Sequence, residues 1–172
     1  LDLKETIAVI TLRRPKTLNA LNRKLTKEFH EVLNHLAGNT EIRVMVLTGE
    51  GRGFCSGADV GESLSTHNQP PDLQVNDHIT SLGAHIRRIN QPVITAINGI
   101  AAGIGLTIAL SSDIRIASSE SSYSCIFIKR SLVPDGGSSY MLTKLLGQGI
   151  AMEMALTGNI YGAKWALEKG LI

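Results

Sequence analysis

Residues 98–109 read Asn-Gly-Ile-Ala-Ala-Gly-Ile-Gly-Leu-Thr-Ile-Ala, and no other stretch of the chain constrains its fold as tightly. Just before them, residues 92–97 form a short β-branched run bounded by Pro92 and by Asn98-Gly99, the pattern of a buried strand. Just after Gly105, the run from Leu106 to Leu110 is small, apolar and uncharged, as suits a buried helix. The unit is therefore strand, turn, helix start, with the turn built from Gly99, Gly103 and Gly105. Glycine there permits positive φ and lets another group come close to the peptide plane. A helix beginning near Gly103 turns its unpaired N–H groups out of the turn, a setting for a negative oxygen. Small residues that only let a helix pack close to a sheet leave the same pattern, so this stretch alone does not separate the two readings.

Strands and helices alternate elsewhere too, which makes the fold class α/β. Residues 7–12 and 44–48 read as strands, the first ended by Arg13-Arg14-Pro15 and the second by a glycine-rich turn. Between them Leu18, Leu21, Leu25, Phe29, Val32 and Leu36 recur every three or four residues, a helix stripe with Asn22 as its N-cap. Residues 67–72, polar with two prolines, read as a surface loop, and Ile79, Leu82, Ile86 and Ile89 mark a further helix face. A strand at 114–117 follows, then helices at 138–146 and 150–157 closed by Gly147 and Gly158, and one at 163–169. The 172 residues suffice for one domain with a sizeable core, residues 1–172. A net charge of +2 and 4% aromatic residues leave neither a basic footprint nor a stacking platform for nucleic acid. No apolar run approaches the ~20 residues of a membrane-spanning helix. Cys55 and Cys125 make no disulfide framework, the five histidines are scattered, and no metal-ligand spacing occurs. The expectation is a soluble protein of the cytoplasm without a metal centre. The chain opens on a strand and reaches Gly170-Leu171-Ile172 as another begins, which reads as a fragment.

A second glycine-rich turn, Gly-Phe-Cys-Ser-Gly-Ala-Asp-Val at 53–60, follows the 44–48 strand much as 98–105 follows 92–97. Two such turns can aim two backbone N–H groups at one oxygen, an arrangement in which one donor is worth roughly 2.7–4 kcal/mol of activation free energy. With Arg-Pro-Lys-Thr-Leu-Asn-Ala-Leu at 14–21, Ser-Asp-Ile-Arg-Ile-Ala at 112–117 and Leu-Val-Pro-Asp-Gly-Gly at 132–137, these segments make five motifs in order. Together they resemble the enoyl-CoA hydratase/isomerase (crotonase-like) superfamily over nearly the whole chain. The resemblance implies a spiral of β-β-α units, assembly as trimers or hexamers, and C-terminal helices that have no counterpart in this sequence. It implies an acyl-CoA thioester as substrate, with coenzyme A carried by the substrate and no separate cofactor.

The residue roles that follow come from that resemblance. The oxyanion hole falls on the N–H groups of Ala58 and Ile104, the latter where many members have glycine. The cleft for substrate and coenzyme A falls on Lys16, Leu18, Ala20, Ser56, Asp59, Val60, Gly103 and Phe127. Arg13, Arg14 and Lys16 cluster beside it, as a phosphate-bearing ligand needs, although a solvated basic edge looks the same in sequence. Gly61 stands where many members carry a lysine. The two glutamates that activate water in the hydratases fall on Thr107 and Phe127, neither of which can take a proton. What remains is Asp135, where some isomerases of the family hold a single catalytic aspartate. Local sequence alone favours a cap for the helix at Ser138; the missing glutamates and the resemblance together favour the base. As a base it needs desolvation, which Phe127 and Val133 would provide.

Three functions compete. The first is an acyl-CoA isomerase that moves a carbon–carbon double bond from the 3,4 to the 2,3 position, or acts on a ring-type thioester. The second is a module that binds acyl-CoA without turnover, with hydration by an atypical route as a further variant. The third, a dinucleotide-binding domain, would want G-x-G-x-x-G after the first strand, where Arg-Arg-Pro-Lys stands. His78 and His85 are expected on a solvated helix face, Asp59 and Asp113 as structural carboxylates, and Glu62 at a helix start.

Overall fold

The computed structural model describes residues 1–61 and 78–172. Glu62 and the expected loop at 67–72 lie outside the described residues. The first sheet is made of β1 (Asp2–Lys4), β2 (Ile7–Leu12), β3 (Val44–Gly49), β5 (Val93–Ile97) and β7 (Ile114–Ala117), of which β2, β3 and β5 are nearly continuous apolar runs. These strands hydrogen-bond in the order β1-β2-β3-β5-β7, parallel except for β1. A second sheet runs β4 (Gly53–Cys55), β6 (Ile100–Ala102), β8 (Ser122–Ser124) and β9 (Tyr161–Gly162), with only β9 antiparallel. Successive strands thus go alternately to the first sheet and the second: β3 then β4, β5 then β6, β7 then β8. Helices α1 (Arg23–Ala37), α2 (Leu82–Arg87) and α3 (Ile104–Leu110) carry the chain from one turn of this α/β spiral to the next. Helices α4 (Ser138–Thr157) and α5 (Ala163–Glu168) follow.

Several expectations need correction. The helix stripe begins later than the leucine spacing predicts: α1 starts at Arg23, with the Asn22 side chain accepting the Leu25 N–H at 2.9 Å, as expected of an N-cap. Leu18 and Asn19 have positive φ, 51° and 58°, after a 3₁₀ turn at Pro15–Thr17, so neither Leu18 nor Leu21 belongs to the helix. The reason is the fully buried Asn19 amide. It accepts the Arg14 N–H at 2.8 Å and donates to the carbonyls of Glu50 and Gly53 at 3.0 and 2.8 Å, tying this turn to the β3–β4 connection. Both glycine-rich turns contain a short strand, β4 and β6, that local sequence did not signal. Neither β1, β8, β9 nor the 3₁₀ segment Ile126–Arg130 was anticipated. Gly170-Leu171-Ile172 is not a strand; the Leu171 N–H returns to the Ala166 carbonyl at 2.8 Å. The break at Gly147 holds: its φ of 77° divides α4, and Gly158 closes the second half with its N–H on the Met154 carbonyl.

The core lies between the sheets and helices, with Met45, Leu47, Phe54, Leu82, Ile97, Leu106, Ile108 and Leu110 nearly or fully buried. Of the three glycines in the 98–109 unit only Gly103 uses positive φ, 53°. Gly99 and Gly105 serve close approach instead. A Cβ on Gly99 would sit 2.0 Å from the Arg52 carbonyl oxygen, and one on Gly105 would sit 2.2 Å from that of Cys55. Gly105→Ala should therefore destabilise the chain by about 1–3 kcal/mol, although alanine is the better helix former by about 1 kcal/mol. Gly149→Ala, where an added Cβ meets nothing within 4 Å, should instead gain about 0.4–1 kcal/mol. Urea unfolding of the two variants checks both signs.

Candidate active site

Strands β4 and β6 lie side by side and parallel, and each leads directly into a turn at the same end of the second sheet. The turns touch: a Cβ on Gly57 would come 3.0 Å from the Ala102 carbonyl oxygen and 3.9 Å from the Gly103 Cα. Gly57 takes φ 107° and Gly103 φ 53°, and the next residue in each turn, Ala58 and Ile104, lines one cleft of about 320 Å³. Ala58 forms a parallel bridge with Leu21 in which the Leu21 N–H donates to Gly57 and the Leu21 carbonyl accepts from Asp59, each at its own end. That register turns Ala58's own N–H to the opposite side. Ile104 is the first residue of α3, with no helical carbonyl behind its N–H. Among the described residues neither N–H has a hydrogen-bond partner.

Ala20, Ser56, Asp59, Val60, Gly103, Phe127 and Asp135 line the same cleft, joined by Gly57, Ile79, Ile126, Arg130 and Leu132. Lys16 and Leu18 do not line it. Lys16 is exposed on the 3₁₀ turn at Pro15–Thr17, and Leu18 caps that turn, its carbonyl accepting the Ser56 N–H at 2.9 Å. The basic edge is also narrower than the sequence suggested. Arg14 pairs with Asp59 at 2.9 Å and donates to the Ala20 carbonyl, and Arg13 pairs with Asp2 at 3.4 Å.

Thr107 is fully buried, its methyl 3.0 Å from where a Cβ on Gly136 would sit, and Phe127 is 5% exposed at the cleft, so neither position supplies a carboxylate. Asp135 reaches the cleft from the segment before α4. It does not cap that helix: Gly137 is the N-cap, and Asp135 engages Ser138 only through its backbone carbonyl, which accepts the N–H at 2.9 Å and the Oγ at 2.7 Å. The carboxylate oxygen Oδ1 is buried and, among the described residues, has no hydrogen-bond partner. Burial pushes the Asp135 carboxyl above the usual carboxylate range, opposed by the nearby His78 and by the residue's own backbone N–H.

Other titratable groups have structural duties. The Asp113 carboxyl is pushed up by burial, but the Val93 N–H at 2.8 Å and Arg87 at 2.8 Å outweigh this and hold it low. Burial raises the Cys55 thiol to about 12, and burial with the Asp135 charge raises Cys125 to about 11. Both are fully buried and inert as nucleophiles. His85 is not a solvated side chain. Its Nδ1 meets Nδ1 of the buried His30 at 2.7 Å, joining α2 to α1. Ile79 and Arg130 are cleft residues that sequence reasoning missed; the apolar helix spacing of Ile79 was visible, but its place at a cleft was not. No group of three or more metal-ligating side chains occurs among the described residues, and no helix among them is long and apolar enough to cross a membrane.

The comparison with known proteins adds what the geometry leaves open. A family model described as enoyl-CoA hydratase/isomerase matches residues 2–172. The chain belongs to the enoyl-CoA hydratase/isomerase family. It is 37% identical over 169 residues to the 1,2-epoxyphenylacetyl-CoA isomerase of Escherichia coli (strain K12), covering 96% of this chain and 64% of the relative. It is 34% identical over 167 residues to a short-chain-enoyl-CoA hydratase of Clostridium acetobutylicum, again covering 96% of this chain and 64% of the relative. Among solved structures, an enoyl-CoA hydratase from Polaromonas sp. JS666 superposes with a TM-score of 0.87 at 32% identity, covering 99% of this chain and 67% of that one. The spiral α/β fold is thus the crotonase-like fold, and the chain spans 64% of the length of both curated relatives.

The raised carboxyl of Asp135 has a consequence for stability. In the unfolded chain an aspartate titrates near 3.9, below its folded value here, so the unfolded state ionises first as pH rises. Stability conferred by the protonated side chain is then lost from about that pH upward through the folded value. Asp135→Asn should therefore have a higher urea midpoint than the wild type at neutral pH, and the advantage should vanish at about pH 3.

Proposed function

We propose that this protein is an acyl-CoA isomerase that moves a carbon–carbon double bond, converting a 3-enoyl thioester to the 2-enoyl form or acting on a ring-type thioester. The observation that carries the reading is Asp135. Its carboxyl lines the cleft, with one oxygen buried and unpartnered, while Thr107 and Phe127 occupy the places that resemble the hydratases' two glutamates. The thioester oxygen accepts the N–H groups of Ala58 and Ile104 at about 2.7–3.1 Å, the spacing an oxyanion requires. Asp135 removes a proton from C2, beside the carbonyl, and the electron pair delocalises into a dienolate whose negative oxygen the two N–H groups stabilise. The same carboxyl returns the proton at C4, which leaves the double bond between C2 and C3. One carboxyl suffices because the proton that leaves is the one that returns. Its raised affinity for protons brings an otherwise weak base toward the working range.

Coenzyme A enters as part of the substrate, with Ser56, Asp59, Val60 and Ala20 along its path. Self-association as a trimer or hexamer belongs to the same reading. It is supported by apolar side chains left exposed at Leu132, Val133, Tyr140, Leu156 and Ile160. A reducing compartment such as the cytoplasm fits two buried, unpaired thiols. A second reading, an acyl-CoA-binding module without turnover, is favoured by the buried Thr107 and by Phe127, and it makes Asp135 idle.

Asp135→Asn separates the two. On the isomerase reading, turnover of 3-enoyl-CoA should fall by roughly 10²–10⁴-fold, with thioester binding by calorimetry retained. Hydration of 2-enoyl-CoA by the wild type should stay well below the roughly 1–10³ per second typical of enzymes. Near-normal isomerase turnover in Asp135→Asn would falsify the assignment.

A further inference from the structure

Resting on that reading, we propose that Thr107 is a positioning residue for Asp135. Its γ-methyl seats the Asp135–Gly136 segment on α3 and so sets where the carboxyl stands relative to the Ala58 and Ile104 N–H groups. The Asp135 side chain is not pinned by its own carboxylate: Oδ1 has no partner among the described residues. Ser131, Leu132 and Val133, which lead up to it, are exposed. The grip comes from the residue after it. Gly136 takes φ 60°, and a Cβ there would lie 2.6 Å from Ile104 Cδ1, 3.0 Å from Thr107 Cγ2 and 3.4 Å from the Thr80 carbonyl oxygen. The Gly136 carbonyl oxygen lies against the buried Gly83 of α2, too close for a Cβ, and that Cβ would also meet Thr107 Cγ2 at 3.3 Å. The Thr107 methyl is thus the point where α2, α3 and the Asp135 segment meet.

The two ends of the Thr107 side chain are not equal in this. The hydroxyl lies 3.4 Å from both the Gly103 and the Asp135 carbonyl oxygens, beyond the usual O–H···O range of about 2.5–3.0 Å. Each of those carbonyls has a better donor. That of Asp135 accepts the Ser138 N–H at 2.9 Å and the Ser138 Oγ at 2.7 Å, and that of Gly103 accepts the Thr107 N–H at 3.1 Å. Deleting the hydroxyl therefore strands no acceptor. The methyl has no such substitute, because Thr107 is fully buried and its loss opens a void directly beside Gly136. Helix α3 begins at Ile104, which carries one of the two cleft donors, and Thr107 stands one turn further on. A shift of the Asp135 segment over α3 is then a shift of the base relative to the thioester oxygen. Misplacement by about 1 Å can cost about 10²-fold in rate.

Three substitutions take the side chain apart. Thr107→Ala removes both ends, Thr107→Ser returns the hydroxyl alone, and Thr107→Val returns the methyl with a second methyl in place of the hydroxyl. Valine in a helix keeps one strongly preferred χ1 rotamer, so the returned methyl is held. Urea unfolding establishes that each variant is folded. The first readout needs no turnover: the ¹³C titration of the Asp135 side-chain carboxyl, assigned by its absence from Asp135→Asn. In Thr107→Ala and Thr107→Ser the loosened carboxyl should gain water and its midpoint should fall toward the ordinary value of about 3.9, while Thr107→Val should return it to the wild-type position. In the isomerase assay kcat should fall by about 10- to 10²-fold in Thr107→Ala and Thr107→Ser and recover in Thr107→Val. Thioester affinity by calorimetry should hold throughout, since both N–H donors and the cleft walls remain. Equal turnover in Thr107→Ser and Thr107→Val, or an Asp135 midpoint unmoved in Thr107→Ser, overturns the proposal. A wild type without isomerase turnover would instead remove the proposed function, and the carboxyl titration would still decide whether Thr107 seats Asp135.

Discussion

The site depends on a close approach between two pieces of backbone. Gly99 lies against the Arg52 carbonyl and Gly105 against that of Cys55, at separations no Cβ could share. This contact seats β6 and α3 on β4, and so fixes where the Gly57 and Gly103 turns meet. Two asparagines reinforce it from different elements. The Asn19 and Asn98 amides both donate to the Gly53 carbonyl, at 2.8 and 3.1 Å, where the chain leaves one sheet for the other. A buried amide so fully paired is rigid, because releasing it would strand several polar groups without water. The left-handed conformations of Leu18 and Asn19 are the conformational cost of that arrangement.

Much of this was legible in the residues, and the reasons differ by element. Strands β2, β3 and β5 of the first sheet have clean apolar runs, and Gly147 and Gly158 sit where helices break or end, so local rules sufficed there. The second sheet was not legible. Ile100-Ala101-Ala102 and Ser122-Tyr123-Ser124 are too short for a period to show, and they are strands only because parallel neighbours complete their hydrogen bonds. Leu18 and Leu21 fitted a helical stripe that tertiary pairing through Asn19 overrode. The candidate site was legible through motif order rather than local pattern: Ala58, Ile104 and Asp135, singled out on that ground, line one cleft. Lys16 and Leu18 lie beside the same motif yet off the cleft, because the 3₁₀ turn carries them outward.

Asp135 shows how a single carboxyl can read in sequence as a helix cap and stand in the fold as something else. The role of cap needs a side-chain oxygen aimed at the first free N–H groups of α4, and here the backbone carbonyl does that work. The side chain is left to the cleft, among apolar walls that supply no hydrogen bond to Oδ1. A buried acceptor without a donor is a local loss of stability, and it coincides with the position where a base would need to be held apart from water.

The two cleft donors that have no partner among the described residues, at Ala58 and Ile104, belong to the main chain. A scan that replaces each side chain in turn would therefore pass over them. Alanine, valine or leucine at either position presents the same N–H, and proline is the one standard residue that deletes it. Sensitivity to substitution falls instead on Gly57, Gly103 and Gly105, which contribute no donor to the pair and only make room for it. In a mutational map of this protein the hydrogen-bonding centre of the cleft would be nearly silent, outlined by a ring of intolerant glycines.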